Sequence, residues 1–199
     1  MGFRISWMAA QQSKDAVISA LGMGATGAEG EYSDFKFSAA ALPNGWTIIW
    51  SEDQSYFDPP RSLELSKHFP LMTCWINETV MCSYVRHLSG GKIDWAVWHE
   101  GHEDRNHLAS EGSPPAAFRE IEAELRAAQD ADEDGDVDLI FDIPTRLAES
   151  ICGFKHDEWM DDPDDPTPFF ELVPDGGIVS TTNSGTAKRG FISRLFGRH

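Results

Sequence analysis

The sequence predicts a single α+β domain: a mainly antiparallel sheet centred on a hairpin over residues 74–99, with helices near 14–21, 116–129 and 144–152. Three observations lead there. Apolar and polar side chains alternate with a two-residue period through much of the first half, which is the period of a strand. An apolar stripe at helical spacing takes over after residue 115. The 199 residues, 41% hydrophobic with seven Trp and twelve Phe, suffice for one well-built core and are far from a disordered composition.

FRISWMA sets Phe3, Ile5 and Trp7 against Arg4, Ser6 and Met8, the pattern of a half-buried strand. A short helix from about Ser13 would carry Ala16, Val17, Ala20 and Leu21 on one face and stop at Gly22 and Gly24. Residues 24–34, polar and Gly-rich, read as a loop. Pro43-Asn44-Gly45 is a turn leading into a strand with Trp46, Ile48 and Trp50 on one side. Residues 53–60 end in Pro59-Pro60 and read as loop, because proline denies a central strand its donors. LELSKHF, residues 63–69, is a helix of one or two turns or an irregular segment.

MTCWINETVMCSYVRHL, residues 72–88, carries the strongest strand signal. Ser89-Gly90-Gly91 supplies a reversal, and KIDWAVWHE returns, with Trp95 and Val97 on one face and Ala96 and Trp98 on the other. Bulk on both faces places this hairpin inside the sheet, covered on both sides. SPPAAFREIEAELRAAQ follows as a helix with Phe118, Ile121, Leu125 and Ala128 in a stripe. PTRLAESICGF is another, with Pro144 in its first turn, Gly153 at its end, and Leu147, Ile151 and Cys152 inward. The domain spans residues 1–158. Residues 159–199 add an acidic Pro-rich segment, a linker and a basic amphipathic tail, within which FFELVP is a candidate to pack back on the body.

The net charge of −17 argues against nucleic acid, whose phosphates need a positive surface, and favours a basic protein partner. No run of about 18 apolar residues encodes a membrane span, and the first residues lack the pattern of a signal peptide. Three cysteines, Cys74, Cys82 and Cys152, cannot all pair within one chain, so reduced thiols in the cytoplasm are expected.

HEGHEDRNH, residues 99–107, resembles a metal site. A zinc helix needs histidines four apart, whereas His99 and His102 are three apart and His107 lies five further on. A solvated polar loop is expected, with no metal and no cofactor. In DADEDGDVDLIF, Asp130, Asp132, Asp134, Gly135 and Asp136 occupy positions 1, 3, 5, 6 and 7 of a calcium loop. Position 12 is Phe141 instead of a bidentate Glu, so these are weak calcium candidates and a solvated acidic loop is preferred. Cys82 with His87 or His99 would make a nucleophilic dyad, but buried cysteine as core filling is the plainer reading. Gly22-Met23-Gly24-Ala25-Thr26-Gly27 follows a helix instead of opening one and cradles no phosphate. Glu78, placed mid-strand between Ile76 and Val80, must be paired, lie at a sheet edge, or line a pocket with Trp50, Trp98 and His99.

Several segments, ISWMAAQ, LPNGWTIIWS, CWINETVMCS, WAVWHE and VDLIFDIPTRLAESICGFKHDE, resemble a family of uncharacterised bacterial proteins over roughly residues 4–158. That family has no assigned activity, so the resemblance implies a core ending near Glu158 and carries over no site residues.

Residues 157–165 hold six acids, whereas Lys188, Arg189, Arg194 and Arg198 stand without an acid among Phe191, Ile192, Leu195 and Phe196. The basic tail suits contact with the chain's own acidic surface, with a partner or with an anionic membrane, a frayed terminus being the plainer reading. The functional expectation is a non-catalytic cytoplasmic protein whose acidic face binds another protein, a toxin-neutralising immunity protein being one concrete version. Trp159, Asp161, Asp162, Asp164 and Asp165 would make the contact. The alternative is a hydrolase or metal-dependent enzyme, which requires Glu78, His99 and His102 to converge.

Overall fold

A computed structural model describes residues 2–132, 137–158 and 167–175. Among these residues nine strands form one sheet: β1 (Arg4–Ala10), β2 (Met23–Gly30), β3 (Phe37–Ala41), β4 (Thr47–Ser51), β5 (Leu71–Asn77), β6 (Cys82–Ser89), β7 (Lys92–Glu100), β8 (Ala109–Gly112) and β9 (Phe169–Pro174). Their order is β2-β9-β3-β4-β1-β5-β6-β7-β8, with every neighbouring pair antiparallel. Four helices, α1 (Lys14–Ala20), α2 (Pro59–Leu65), α3 (Ala117–Ala131) and α4 (Asp142–Cys152), complete the described α+β domain. None of them is long and apolar enough to cross a membrane.

β1 is the middle strand, and it is buried from Ile5 to Ala10 on both faces instead of one. The two faces build separate cores. On the first, Trp7, Ile48, Trp50, Cys74 and Ile76 pack with Phe118 and Leu125 of α3 and Ile143 and Leu147 of α4. On the second, Met8, Ile49, Leu71 and Leu88 pack with Val17 and Ile18 of α1 and Leu65 of α2. Ser13 caps α1, its hydroxyl accepting the Ala16 amide at 3.4 Å, but Ile18 takes the buried place expected of Ala16 and Ala20, which are exposed.

Three sequence expectations are corrected, and one strand, β3, stands where none was expected. The segment 72–88 is not one strand. It is the hairpin β5–β6, reversed over Glu78-Thr79-Val80-Met81, where the Asn77 side chain accepts the Thr79 amide at 3.1 Å and Met81 adopts φ 49°. An even number of turn residues keeps the apolar alternation in phase, which conceals the turn. Residues 24–34 are not simply loop. β2 forms the sheet edge against β9, with a bulge between Ala25 and Glu29; an edge strand with exposed side chains shows no apolar period. β3 is Ala-rich and gave no strand signal, because its small side chains suit a position between two packed layers. α2 starts at the two prolines, which fit a first helical turn, and ends before most of the segment assigned to it.

Candidate functional site

Antiparallel register arranges the β5–β6–β7 end of the second face into rows. Asn77 pairs with Cys82 and Cys82 with Glu100; one row inward, Trp75 pairs with Tyr84, Tyr84 with Trp98, and Trp98 with Ala109 of β8. Directly opposed residues share a face, so Trp75, Tyr84 and Trp98 form a cross-strand aromatic ladder. Trp75 meets Tyr84 edge-on at 5.2 Å, and Tyr84 lies parallel to Trp98 at 6.4 Å. All three rings are partly exposed and belong to neither core.

Polar groups border the ladder. The Tyr84 hydroxyl donates to the Glu100 carboxylate, and burial followed by that acceptor pushes the phenol well above its ordinary range. The Arg86 guanidinium lies over the Tyr84 ring at 5.5 Å, and Glu111 pairs with Ala96 on the exposed edge strand. At the strand ends the β7–β8 loop brings the exposed His102 over Cys82, with Nδ1 3.1 Å from Sγ. The expected partners of Cys82 are therefore corrected. His87 instead pairs with Asp94 at 2.9 Å and stacks on Trp95.

His99 leaves β7 on the opposite face. It is fully buried, with Nδ1 2.6 Å from the His107 carbonyl and Nε2 3.0 Å from Asp138 Oδ2. Two oxygens face its two nitrogens, which fixes the ring at both ends. Beside it, the Ser83 hydroxyl donates to the Phe141 carbonyl at 2.6 Å, tying the start of α4 to the sheet. His107 turns back, its Nδ1 accepting the Glu100 amide at 2.9 Å.

Glu78 sits in the β5–β6 turn, not mid-strand. Oε2 accepts the Phe3 amide at 2.8 Å, and Oε1 lies 3.4 Å from Nε2 of the buried His156. Burial holds the His156 imidazole below its ordinary range, and its Nδ1 has no hydrogen bond among the described residues; Asp157 at 3.6 Å is too far for one. Next door, burial lowers the Lys155 ammonium, but Glu158 at 2.9 Å, Asp157 at 3.0 Å and Asp142 at 3.8 Å outweigh it and move it upward.

Glu78, His99 and His102 therefore serve three partner sets that share no side chain. His102 lies with Cys82 on one face and His99 with Asp138 on the other. Trp98 and His99, as consecutive strand residues, also point apart, while Trp50 is sealed in the first core. Among the described residues, no three His, Cys, Asp or Glu side chains gather as metal ligands. Asp130 lies within α3 and Asp132 closes it, accepting the Val137 amide at 3.3 Å. Asp134, Asp136, Trp159, Asp161, Asp162, Asp164 and Asp165 lie outside the described residues, as does the basic tail.

An open groove of about 400 Å³ lies elsewhere, between Gln11–Lys14 and the β3–β4 turn. Lys14, the one titratable side chain lining it among the described residues, is placed over the Phe170 ring at 3.6 Å. No family model, no curated protein and no solved structure matches the chain.

Proposed function

We propose that this protein is a non-catalytic domain that binds a basic protein partner in the cytoplasm, with the Trp75–Tyr84–Trp98 face as the contact. One observation carries the reading: three large rings, aligned by strand pairing, stay outside both cores of a protein that buries Trp7 and Trp50 almost completely. Aromatic side chains bordered by carboxylates suit cationic side chains through ring-face attraction and charge pairing. The net charge of −17 adds long-range attraction. Neutralisation of a basic toxin, as an immunity protein would perform it, is one concrete form of this function.

A displayed library of random peptides, selected on the full chain, tests it. Enriched peptides should be rich in Arg and Lys, bind more weakly as salt rises, and lose ~30-fold in affinity on Trp98→Ala, the size of a ~2 kcal/mol contact residue. Converting Asp161, Asp162, Asp164 and Asp165 to Asn should slow association more than it speeds dissociation. Enriched peptides that lack basic residues, or that bind Trp98→Ala as well as the parent chain, would sink the proposal.

A further inference from the structure

We propose that Cys82 and His102 form a reactive-thiol site that exchanges with small cationic disulfides. The pair is built, not incidental. Cys82 opens β6 directly after Met81, and the Met81 carbonyl accepts the Gly101 amide at 2.8 Å, which clamps the β5–β6 turn to the start of the β7–β8 loop. That clamp holds the His102 ring nitrogen 3.1 Å from the sulfur, nearer than the Val80 carbonyl at 3.4 Å. Burial raises the Cys82 thiol, the backbone amides of His102 and Gly101 act against that, and Glu100 and Glu103 add to it. The resting sulfur therefore keeps its proton and depends on a base to lose it.

His102 is that base. As Sγ attacks the nearer sulfur of a disulfide, the thiol proton passes to Nδ1, the new S–S bond forms and the old one breaks. The departing thiolate then takes the proton from His102 and leaves as a thiol. One disulfide is consumed and one mixed disulfide made, with no other oxidant. Glu100, which faces Cys82 across the strands, and Glu103, whose carboxylate lies 4.0 Å from His102 Nε2, favour positively charged disulfides over anionic ones. All three thiols are buried, but Cys82, 3% exposed, lies beneath the exposed His102 side chain, whereas Cys74 and Cys152 lie in the first core, Cys152 pushed up by burial to about 12 and Cys74 raised further. Nothing here depends on the binding function proposed above.

The experiment incubates the reduced, full-length protein with cystamine and follows adducts by intact mass and peptide mapping. Oxidised glutathione serves as the anionic comparison, and each rate is divided by that of a free cysteine derivative with the same disulfide. The expected result is one adduct, at Cys82, formed faster with cystamine on this scale and slowed roughly tenfold or more by His102→Gln. The Cys82 rate in urea-unfolded chain provides a second measure that needs no variant, and the folded protein should exceed it. An adduct at Cys74 or Cys152 first, a folded rate no higher than the unfolded one, or an unchanged rate in His102→Gln would each overturn the proposal.

Discussion

Gly101→Ala should destabilise this protein more than its place in a polar loop implies. A Cβ at residue 101 would stand 2.6 Å from His99 Nε2, 2.6 Å from the Met81 carbonyl oxygen and 2.9 Å from Met81 Cβ. Gly101 does not have a left-handed φ, so the cost is close contact and not backbone strain. The Met81 oxygen is held by the Gly101 amide itself, and the His99 ring is fixed at both nitrogens by His107 and Asp138. Overpacking of this kind costs ~1–3 kcal/mol. Displacing His99 from Asp138 would add ~1–3 kcal/mol, because a buried polar group loses its partner. A total of ~2–4 kcal/mol, allowing for partial relaxation, lowers Tm by roughly 4–16 °C in a chain of this size. Urea unfolding followed by tryptophan fluorescence measures it. Gly27→Ala is the control, since no atom of the described residues lies within 4 Å of its added Cβ and only its φ of 87° is strained, a cost of ~1–2 kcal/mol. The same cycle in an Asp138→Asn background should show a smaller effect of Gly101→Ala, because the His99 bond is already weakened. If Gly101→Ala unfolds within ~0.5 kcal/mol of the parent chain, the clamp between the two turns has been misjudged.

The two classes of tryptophan should separate in stability. Trp7→Ala empties the first core and should cost ~3–5 kcal/mol, whereas Trp98→Ala should cost clearly less; equal losses by urea titration would mean the ladder is structural. Stability should fall as pH drops below about 6.5, the ordinary value from which burial lowers His156. There the unfolded chain binds a proton that the folded His156 resists, so ΔG of unfolding rises with pH, and the loss is complete once pH passes below the folded value. Asp142 and Glu149, both raised chiefly by burial, bind protons in the folded state and offset part of the loss at lower pH. His156→Gln should flatten the slope near pH 6; an unchanged slope in a urea series would assign it to other groups. Calcium titration by calorimetry should give no stoichiometric heat, since Asp132 is occupied by the Val137 amide and lies 3.9 Å from Arg105; heat abolished by Asp132→Ala would restore an ion site.

How much of this was legible in the sequence depends on the range of the interaction. Local signals carried through: the stop at Gly22, the β6–β7 reversal at Gly90-Gly91, the α4 stripe, and the α3 stripe at Phe118 and Leu125, though Ala128, expected on the same stripe, is exposed. Long-range pairing did not. β2 exists because β9 runs beside it, nearly 150 residues away in sequence, and neither partner announces the other. The aromatic ladder was invisible for the same reason. Trp98 was placed on one face of the returning strand and Trp75 lay within the strongest strand signal, but only the register of β5 with β6 and of β6 with β7 sets Tyr84 between them. The Cys82–His102 contact required knowing that 72–88 reverses at Met81, since an unbroken strand would carry Cys82 far from the β7–β8 loop.

HEGHEDRNH shows how one motif can be divided by the sheet beneath it. Its first residue is still in β7 and obeys the strand period, so His99 goes inward to Asp138 while Glu100 goes outward to Tyr84. Gly101 then permits the chain to press against Met81, and the chain's new direction carries His102 to the outward face over Cys82. His107 returns as a prop, its carbonyl oriented to His99 and its ring to the Glu100 amide. Three histidines that look like one ligand set thus become an internal brace, an external base and a loop clasp. The clustering that suggested a metal is explained by a tight reversal at a strand end, where several polar side chains must satisfy the amides and carbonyls the sheet no longer pairs. The same reversal places a titratable group beside the ladder's end. Chemistry at Cys82 and recognition at Trp98 would then occupy adjoining positions of one face, held there by the brace on the other.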